Sequence, residues 1–364
     1  MDNFAFIIHP LDPKRDVQRK FPLLGKILPI RAINFLSRFF PPLYISHITG
    51  IRSEATGKEV EGWFVACPFT PQRMMTLPAK TVYRKVIATA RLAERLGAKL
   101  VGLGAYTSVV GDGGVTISRQ VDTPVTTGDS YTVASAVEAM KRAAAIMGID
   151  LANATLAVVG ATGAIGSVAA QVLAEDVPQI VLIGKRRERL LEVKARCEQA
   201  GAEVVVTDDL NLLRQADLVL TVTSAVDAIV QPEHLKSGAV VCDVARPRDV
   251  SKVVAEKRDD VFVFDGGLVE IPGPAASFNF DFGFPPKTCY ACMAETIALA
   301  LEGRYENFSL GKDLTVAQVK EIANIARRHG FKLAGFRSFE HAVPEAEIER
   351  IRLNARRARP ASAN

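Results

Sequence analysis

The sequence predicts an α/β protein built around a central doubly wound parallel sheet of the Rossmann type, and three observations lead to that prediction. An apolar run ends in three glycines spaced three residues apart, at Gly160, Gly163 and Gly166. A helical pattern begins directly after them, at Ser167. Strand-like and helix-like segments then alternate as far as Phe264. A strand, a glycine turn and a helix in this order form a dinucleotide-binding crossover, and repeated alternation is typical of a parallel sheet covered by helices.

Each glycine of the turn has its own physical task. Gly160 permits the tight turn, Gly163 lets the backbone approach a pyrophosphate, and Gly166 lets the helix pack close to the strand. The N-terminus of the helix then offers unpaired N–H groups to the phosphates. The predicted cofactor-binding residues of the turn are Gly160, Thr162, Gly163, Ala164, Ile165 and Gly166.

The N-terminal stretch is basic and apolar, and no acid occurs between Arg19 and Ser53. Residues 19–45 suit short amphipathic helices that lie on a membrane surface or line the mouth of an apolar tunnel. An equally simple interpretation is a helix packed on the chain's own core.

The elements that follow are predicted from periodicity and turn residues. Residues 45–52 and 59–66 alternate in polarity and predict a β-hairpin. Further along come a helix at 78–97, a short buried strand at 99–103, and a helix at 131–147 capped by residues 126–130. The predicted sheet strands are 156–159, 180–183, 203–207, 218–221, 239–243 and 261–264. An irregular aromatic loop at 271–286 precedes a predicted helix at 287–302, and the rest is helical.

These elements predict four parts of the chain. They are a basic-apolar N-terminal extension at 1–42, an N-terminal α/β substrate domain at 43–150, an NADP-binding Rossmann domain at 151–286, and a helical C-terminal region at 287–364 that carries the candidate nucleophile.

Composition narrows the class of protein. The 364 residues are 48% hydrophobic and 23% charged, which is ordinary for a globular chain. Five cysteines, without a signal-peptide pattern before them, indicate free thiols in a reducing cytoplasm. A net charge of +5 falls short of a nucleic-acid-binding signature. No run of 18 apolar residues predicts a transmembrane helix.

The end of the second sheet strand favours NADP over NAD. An NAD-binding sheet usually has an acid there for the ribose 2′-hydroxyl, whereas this chain has Lys185, Arg186 and Arg187, which suit a 2′-phosphate. The alternative is a solvated turn whose cations bind nothing. Thr223 and Ser224 follow the fourth strand and are predicted to lie near the nicotinamide.

The candidate nucleophile is a cysteine, because none of the five histidines sits in an obvious catalytic turn. Cys289 and Cys292 lie at the start of the predicted helix at 287–302. The helix dipole, aided by Lys287, is expected to lower the thiol pKa there, so that a thiolate attacks a thioester or ester. An inert packing cysteine is the stronger alternative on composition alone, and a redox pair is a third. No second ligand pair has the spacing of a zinc site, so no metal is predicted.

Several motifs together resemble the long-chain acyl-acyl-carrier-protein reductases, the aldehyde-forming enzymes of cyanobacterial alkane synthesis. The first set is Gly104-Ala-Tyr-Thr-Ser108, Thr126-Thr-Gly-Asp-Ser130 and the glycine turn. The C-terminal set is Tyr290-Ala-Cys-Met-Ala-Glu295, Leu301-Glu-Gly303, Asn307-Phe-Ser309 and Arg328-His-Gly-Phe331. The resemblance covers about residues 43–333. The helix around Cys292 is more specific than the glycine turn.

The resemblance implies NADPH-dependent reduction of a fatty acyl thioester to a fatty aldehyde. Cys292 matches the acyl-accepting cysteine, which forms an S-acyl enzyme, accepts hydride at the acyl carbon and releases the aldehyde from a thiohemiacetal. Ser108, with Thr107 and the amides of the Gly104 loop, is the expected group that stabilises the oxyanion. Glu295 is expected to position a neighbour, or else to be an acid on a helix face. Cys289 is expected to pack only.

The chain departs from the pattern at its ends, because the first 42 residues and the tail past Phe331 are extended. The acyl donor therefore stays open between acyl-acyl-carrier-protein and acyl-CoA, and a membrane surface or an aldehyde-consuming enzyme is a further expected partner. No nucleic acid is expected. Two alternatives remain open, namely a non-covalent NADP-dependent reductase of shikimate-dehydrogenase-like architecture and a nucleotide-sensing protein without enzyme activity.

Overall fold

A computed structural model describes residues 2–10, 12–225, 227–339 and 341–358. The chain divides into two compact units, each assembled from three segments. Unit 1 draws on Met1–Tyr131, Val269–Asp313 and Glu321–Lys332, and unit 2 on Thr132–Leu268, Leu314–Lys320 and Leu333–Asn364. The sequence-based division into four consecutive parts stays a prediction.

The elements of the described residues are numbered in chain order. The strands are β1 Asp2–Ile8, β2 Leu43–Arg52, β3 Glu59–Ala66, β4 Val101–Leu103, β5 Val125–Thr126, β6 Thr155–Val159, β7 Gln179–Ile183, β8 Glu203–Thr207, β9 Leu218–Thr221, β10 Val240–Asp243, β11 Phe262–Asp265, β12 Leu268–Glu270, β13 Thr288–Tyr290, β14 Lys332–Leu333, β15 Arg337–Ser338 and β16 His341–Ala342. The helices are α1 Pro13–Lys20, α2 Pro22–Ile27, α3 Ile30–Leu36, α4 Pro71–Thr76, α5 Ala79–Arg95, α6 Tyr106–Val109, α7 Val115–Ser118, α8 Asp129–Met147, α9 Ala164–Leu173, α10 Arg187–Gln199, α11 Lys252–Lys257, α12 Ala291–Glu302, α13 Val316–His329 and α14 Glu345–Ala358.

Unit 1 contains a five-stranded sheet in the order β2-β3-β1-β4-β5. The predicted hairpin is confirmed, since β2 and β3 pair antiparallel, while β3, β1, β4 and β5 are parallel. The sequence does not predict β1, which lies in the middle of the sheet. Phe4, Ala5, Phe6 and Ile7 are all buried there. A strand buried on both faces has a continuous apolar run and no alternation to reveal it.

Unit 2 contains a six-stranded parallel sheet in the order β11-β10-β9-β6-β7-β8. These are the six predicted strands, each within one residue of the expected bounds. Numbered within the sheet, the order is that of a dinucleotide-binding sheet, and it reverses between β6 and β9. The predicted α/β fold class is confirmed. Among the described residues, no helix has both the length and the apolar character needed to cross a bilayer.

The predicted helix at 287–302 begins four residues later than expected. Lys287 has a φ of 60°, outside the helical region, and its carbonyl accepts a hydrogen bond of 2.9 Å from the Ile271 amide. Residues 288–290 form β13 instead, which belongs to a small sheet in the order β13-β12-β14. Cys289 therefore lies in a strand, while Cys292 lies in the first turn of α12.

Candidate active site

Helix α12 brings its first turn to the carboxyl edge of the unit 1 sheet. The helix packs on β1, β3 and β4. Glu295 accepts a hydrogen bond of 2.5 Å from the hydroxyl of Thr126, the last residue of β5. Two residues further along the strand direction, Gly128 lies against Cys292. Because later residues of the strand meet earlier residues of the helix, α12 runs antiparallel to β5. Cys292 therefore lies at the carboxyl edge of the sheet, where ligands of parallel sheets usually bind.

Gly128 is required at this contact for two reasons. It has a φ of 78°, in the left-handed region that favours glycine. A Cβ built on it would also collide with Cα and Cβ of Cys292. The turn after β5 therefore approaches the candidate nucleophile as closely as two backbones allow.

Glu295 holds this turn in place. Besides the Thr126 hydroxyl, its buried carboxylate accepts a hydrogen bond of 2.8 Å from the Tyr131 amide in the first turn of α8. A carboxylate at a helix N-terminus satisfies an otherwise unpaired N–H group and complements the helix dipole. The structure thus supports the expectation that Glu295 positions a neighbour, and the neighbour is the segment from Thr126 to Tyr131.

The motif residues Asn307 and Ser309 secure the same turn from the other side. The Asn307 side-chain oxygen accepts a hydrogen bond of 2.8 Å from the Val125 amide. The Ser309 carbonyl accepts one of 2.5 Å from the Thr127 hydroxyl, and the Ser309 hydroxyl donates one of 2.7 Å to Ser130. Two motifs that are distant in the sequence therefore form one structure.

His329, from the last C-terminal motif, has a structural role. Its ring lies 2.7 Å from the Glu302 carboxylate and 2.8 Å from the Ser53 hydroxyl. The arrangement resembles a serine–histidine–acid relay, but Ser53 is only 2% exposed. These contacts tie the hairpin turn to the ends of α12 and α13.

The environment of the Cys292 thiol corrects one expectation from the sequence. The residue is half-buried, and burial, followed by the charge of Asp129, raises the pKa of its thiol to about 12 instead of lowering it. Lys287, which was expected to help, pairs with Glu270 at 3.0 Å. Desolvation and two nearby carboxyl groups, Asp129 and Glu295, outweigh the helix N-terminus. The thiol is therefore protonated at neutral pH and needs a base.

Asp129 is a candidate functional residue that the sequence does not predict. It follows Gly128 as the first residue of α8. Burial and then the charge of Glu295 raise the pKa of Asp129 to about 7. A carboxyl group that titrates near neutrality beside a thiol has the property required of a general base. The available signal was a lone acid inside the motif Thr126-Thr-Gly-Asp-Ser130.

The loop after β4 is a tightly bonded structure at the same sheet edge. The Tyr106 amide donates a hydrogen bond of 3.1 Å to Nε2 of His9, the residue that follows β1. Burial lowers the pKa of His9 to about 4, so that its ring is neutral and Nε2 accepts. Ala105 has a φ of 45°, an unusual value for a residue other than glycine.

The hydroxyl groups expected to stabilise an oxyanion donate within this loop. Ser108 donates to the Ala105 carbonyl at 2.7 Å, and Thr107 donates to the Gly104 carbonyl at 2.8 Å. Both side chains are buried, and the hydrogen bonds described link neither of them to Cys292. Their role toward a substrate oxygen stays a prediction.

The glycine turn of unit 2 has the shape that a pyrophosphate requires. Gly160 has a φ of 85°, and a Cβ on it would lie 2.5 Å from the Val222 carbonyl oxygen. A Cβ on Gly166 would lie 2.5 Å from the Gly160 carbonyl oxygen. Gly163 caps α9 without a side-chain hydrogen bond among the described residues, so the half-buried Ala164 and Ile165 open the helix toward a ligand.

The cations after β7 lie beside this turn. Arg186 donates to the Thr162 carbonyl at 2.8 Å and to its hydroxyl at 3.1 Å. Lys185 and Arg187 are exposed next to it. The sheet order, the turn and these cations fit a dinucleotide with a 2′-phosphate, as the predicted NADP cofactor has.

The loop after β9 is held by a buried acid. Asp249 accepts hydrogen bonds of 2.8 Å and 2.5 Å from the amide and hydroxyl of Thr223. Ser224, beside it, is exposed. The contacts of both residues with a nicotinamide stay a prediction.

Comparisons with known proteins identify relatives of this chain. Residues 141–266 match the family model of shikimate/quinate 5-dehydrogenases. A long-chain acyl-acyl-carrier-protein reductase of Synechococcus elongatus is 31% identical over 312 residues, which are 80% of this chain and 87% of the relative.

Two further relatives match a smaller share of their own length. The aminotransferase PigE of a Serratia species is 31% identical over 302 residues, and these residues are 81% of this chain but only 35% of that protein. A glutamyl-tRNA reductase of Corynebacterium efficiens is 35% identical over 130 residues, which are 32% of this chain and 28% of the relative. Because the match to the Synechococcus elongatus reductase covers most of this chain and most of that enzyme, the protein belongs to the long-chain acyl-acyl-carrier-protein reductase family.

Proposed function

We propose that the protein reduces a long-chain fatty acyl thioester to the fatty aldehyde with NADPH, through an S-acyl intermediate on Cys292. One observation carries this proposal: a half-buried thiol lies in the first turn of α12, against Gly128, which directly precedes Asp129. The acyl donor is the thioester of an acyl carrier protein or of coenzyme A.

Asp129 supplies the base that the raised thiol pKa demands. The Cys292 sulfur attacks the carbonyl carbon while its proton passes to the Asp129 carboxylate. The bond from the acyl carbon to the carrier sulfur then breaks, and the carrier sulfur takes the proton from Asp129. Charge and protons balance, and an S-acyl cysteine remains.

The second half of the reaction returns Cys292 to its thiol form. Bound NADPH supplies the hydride that converts the acyl group to the aldehyde level. The Gly160–Gly166 turn and Arg186 would hold this cofactor. Cys292 leaves the former acyl carbon as a thiolate, and Asp129, reprotonated from solvent, returns a proton to it. Ser108 and the Gly104 loop stabilise the negative oxygen in both halves.

Glu295 acts as a positioning residue in this scheme. Its hydrogen bonds with Thr126 and Tyr131 keep the segment that contains Asp129 against α12. The distance between the proton acceptor and the nucleophile therefore depends on Glu295, although Glu295 itself exchanges no proton with the substrate.

The aldehyde assay tests the proposal directly. The full chain is incubated with NADPH and a palmitoyl thioester of either carrier, and aldehyde is measured by gas chromatography–mass spectrometry. We expect aldehyde from wild type, none from Cys292→Ala, and activity from Cys289→Ala once circular dichroism shows that it folds. Aldehyde formation by Cys292→Ala would instead favour the non-covalent reductase, a class suggested by the shikimate dehydrogenase match at residues 141–266. NADPH binding without turnover of either thioester would favour a nucleotide-sensing protein.

Partners beyond the acyl donor are part of the proposal. A long-chain aldehyde is poorly soluble in water, so an aldehyde-consuming enzyme or a membrane must take it up. A peripheral contact with membranes, at a cytoplasmic location, would serve that transfer.

A further inference from the structure

The segment from Pro22 to Phe39 carries an unusual concentration of exposed apolar side chains. We call it the apolar face; its members are Leu23, Leu24, Ile27, Ile30, Phe35 and Phe39. Leu23 and Ile27 are 75% and 74% exposed, and Phe39 is 66% exposed. These six are half of the twelve large apolar side chains that the described residues expose. A grouped patch of this kind marks an interaction surface, whereas scattered exposed residues do not.

The two helices of this segment, α2 and α3, leave most of their large apolar side chains exposed to solvent. In α2 the buried residue is Gly25, and in α3 it is Ile33. Ser37, directly after α3, is buried as well. A water-facing surface helix normally turns its apolar side inward. Here the inward positions are taken by Gly25, Ile33 and Ser37, and most of the large apolar side chains remain outside.

Polar contacts fix the segment in this orientation. The Asn34 side chain donates to Gln72 at 2.6 Å and accepts from the Thr70 hydroxyl at 2.6 Å. The backbone carbonyl of Asn34 accepts a hydrogen bond of 2.8 Å from the Arg73 side chain. Lys85 of α5 donates to the Phe40 carbonyl at 2.8 Å. The apolar face is therefore presented by specific bonds to α4 and α5.

The charges within the segment that carries the apolar face have a single sign. Lys26, Arg31 and Arg38 are exposed among its members, and no acid occurs from residue 17 to residue 53. An acidic protein would match these cations alone. An anionic bilayer matches both features, with the cations at the headgroups and the apolar side chains at the boundary of the acyl chains. We propose that the apolar face and its three cations dock the protein on an anionic lipid surface.

Vesicle sedimentation tests this docking. The full chain is mixed with vesicles of phosphatidylcholine alone or with one quarter phosphatidylglycerol, and the bound fraction is measured at low and high salt. We expect binding to the anionic vesicles that weakens with salt. Each cation contributes about five-fold to partitioning, so the triple variant K26Q/R31Q/R38Q binds roughly 100-fold more weakly.

A matched pair of variants separates the apolar face from general surface hydrophobicity. Ile27→Glu with Phe39→Glu is expected to abolish sedimentation. Leu191→Glu with Leu353→Glu changes two leucines of unit 2 that are 47% and 43% exposed, and this variant is expected to bind like wild type. Circular dichroism and thermal melting are used to check that both variants fold.

Three results would overturn the proposal: no sedimentation of wild type, an equal loss in both double variants, or a loss of acidic carrier-protein binding in I27E/F39E without any change in vesicle binding. The last would mean that the surface docks a protein. The measurement involves no turnover, so its failure leaves thioester reduction untouched, and a failed aldehyde assay leaves the docking result untouched.

Discussion

In the proposed mechanism, Asp129 and Cys292 divide the chemistry of the first half-reaction between them. Burial raises the pKa of both groups, the thiol to about 12 and the carboxyl to about 7. At neutral pH the thiol thus holds its proton, while a substantial fraction of the carboxyl group has lost its own. Gly128, which lies against Cys292, directly precedes Asp129 in the chain.

This pairing gives the acylation step a specific pH dependence. The acylation rate should rise with pH through about 7, as Asp129 loses its proton, and then level off. A thiolate that attacked without a base would give a rate that keeps rising toward pH 12. We expect Asp129→Asn to lower the rate by roughly 10²–10⁴-fold at pH 7.5 and to remove the step near pH 7.

The control for this variant is Asp122→Asn, which makes the same change at an exposed position. Stopped-flow or rapid-quench measurement of carrier thiol release gives the rate. If the pH profile of the acylation rate of Asp129→Asn still showed the wild-type step near pH 7, Asp129 would not be the base.

The motif in the sequence indicated Cys292, but the predicted direction of its thiol pKa shift was wrong. A position in the first turn of a helix is visible in the sequence, and it argues for a low thiol pKa. Burial and the proximity of Asp129 arise only when β5 and α12 meet, and the two residues are distant in the chain. The direction of the pKa shift was therefore beyond sequence reasoning.

At the scale of elements, the β5–α8 turn and the first turn of α12 act as one assembly. Thr126, Tyr131 and Glu295 lock them together, and Gly128 allows the closest approach. The geometry of the proposed site is a property of this junction and not of either element alone.

Gly128→Ala tests the junction. The new methyl group would collide with Cys292, and an alanine at this position would have to keep a positive φ. We therefore expect the free energy of unfolding to fall by about 1–3 kcal/mol and acylation to be lost. Urea denaturation and thiol release measure the two effects. Gly201→Ala is the matched control, because Gly201 has a φ of 104° but nothing within 4 Å of a built Cβ. If both variants acylated at the wild-type rate, close approach at Gly128 would be irrelevant to the site.

Element prediction succeeded where local patterns determine the structure. The six strands of unit 2 were predicted because apolar runs, turn residues and helices alternate regularly there. β1 and β13 were missed for a different reason. β1 is a central strand without alternation, and β13 replaces the first turn of a predicted helix because Lys287 takes a positive φ.

At the scale of the whole molecule, each unit holds one part of the proposed function. Unit 1 contains Cys292 and Asp129, and unit 2 contains the glycine turn and Arg186. The chain leaves unit 1 after β5, builds the cofactor-binding sheet, and returns to unit 1 for α12. Local sequence patterns predicted the cofactor-binding turn and the candidate nucleophile Cys292. They did not indicate that α12, which carries Cys292, belongs to unit 1.

The formation of an acyl enzyme is the central claim, and intact mass spectrometry tests it most directly. Wild-type protein is incubated with palmitoyl-CoA without NADPH, and its mass and peptides are measured before and after NADPH is added. We predict a gain of one palmitoyl group on the peptide that contains Cys292, no gain in Cys292→Ala, and loss of the adduct with release of aldehyde once NADPH is present. Aldehyde formation without any adduct on Cys292, or an adduct on another cysteine that NADPH discharges, would contradict the account.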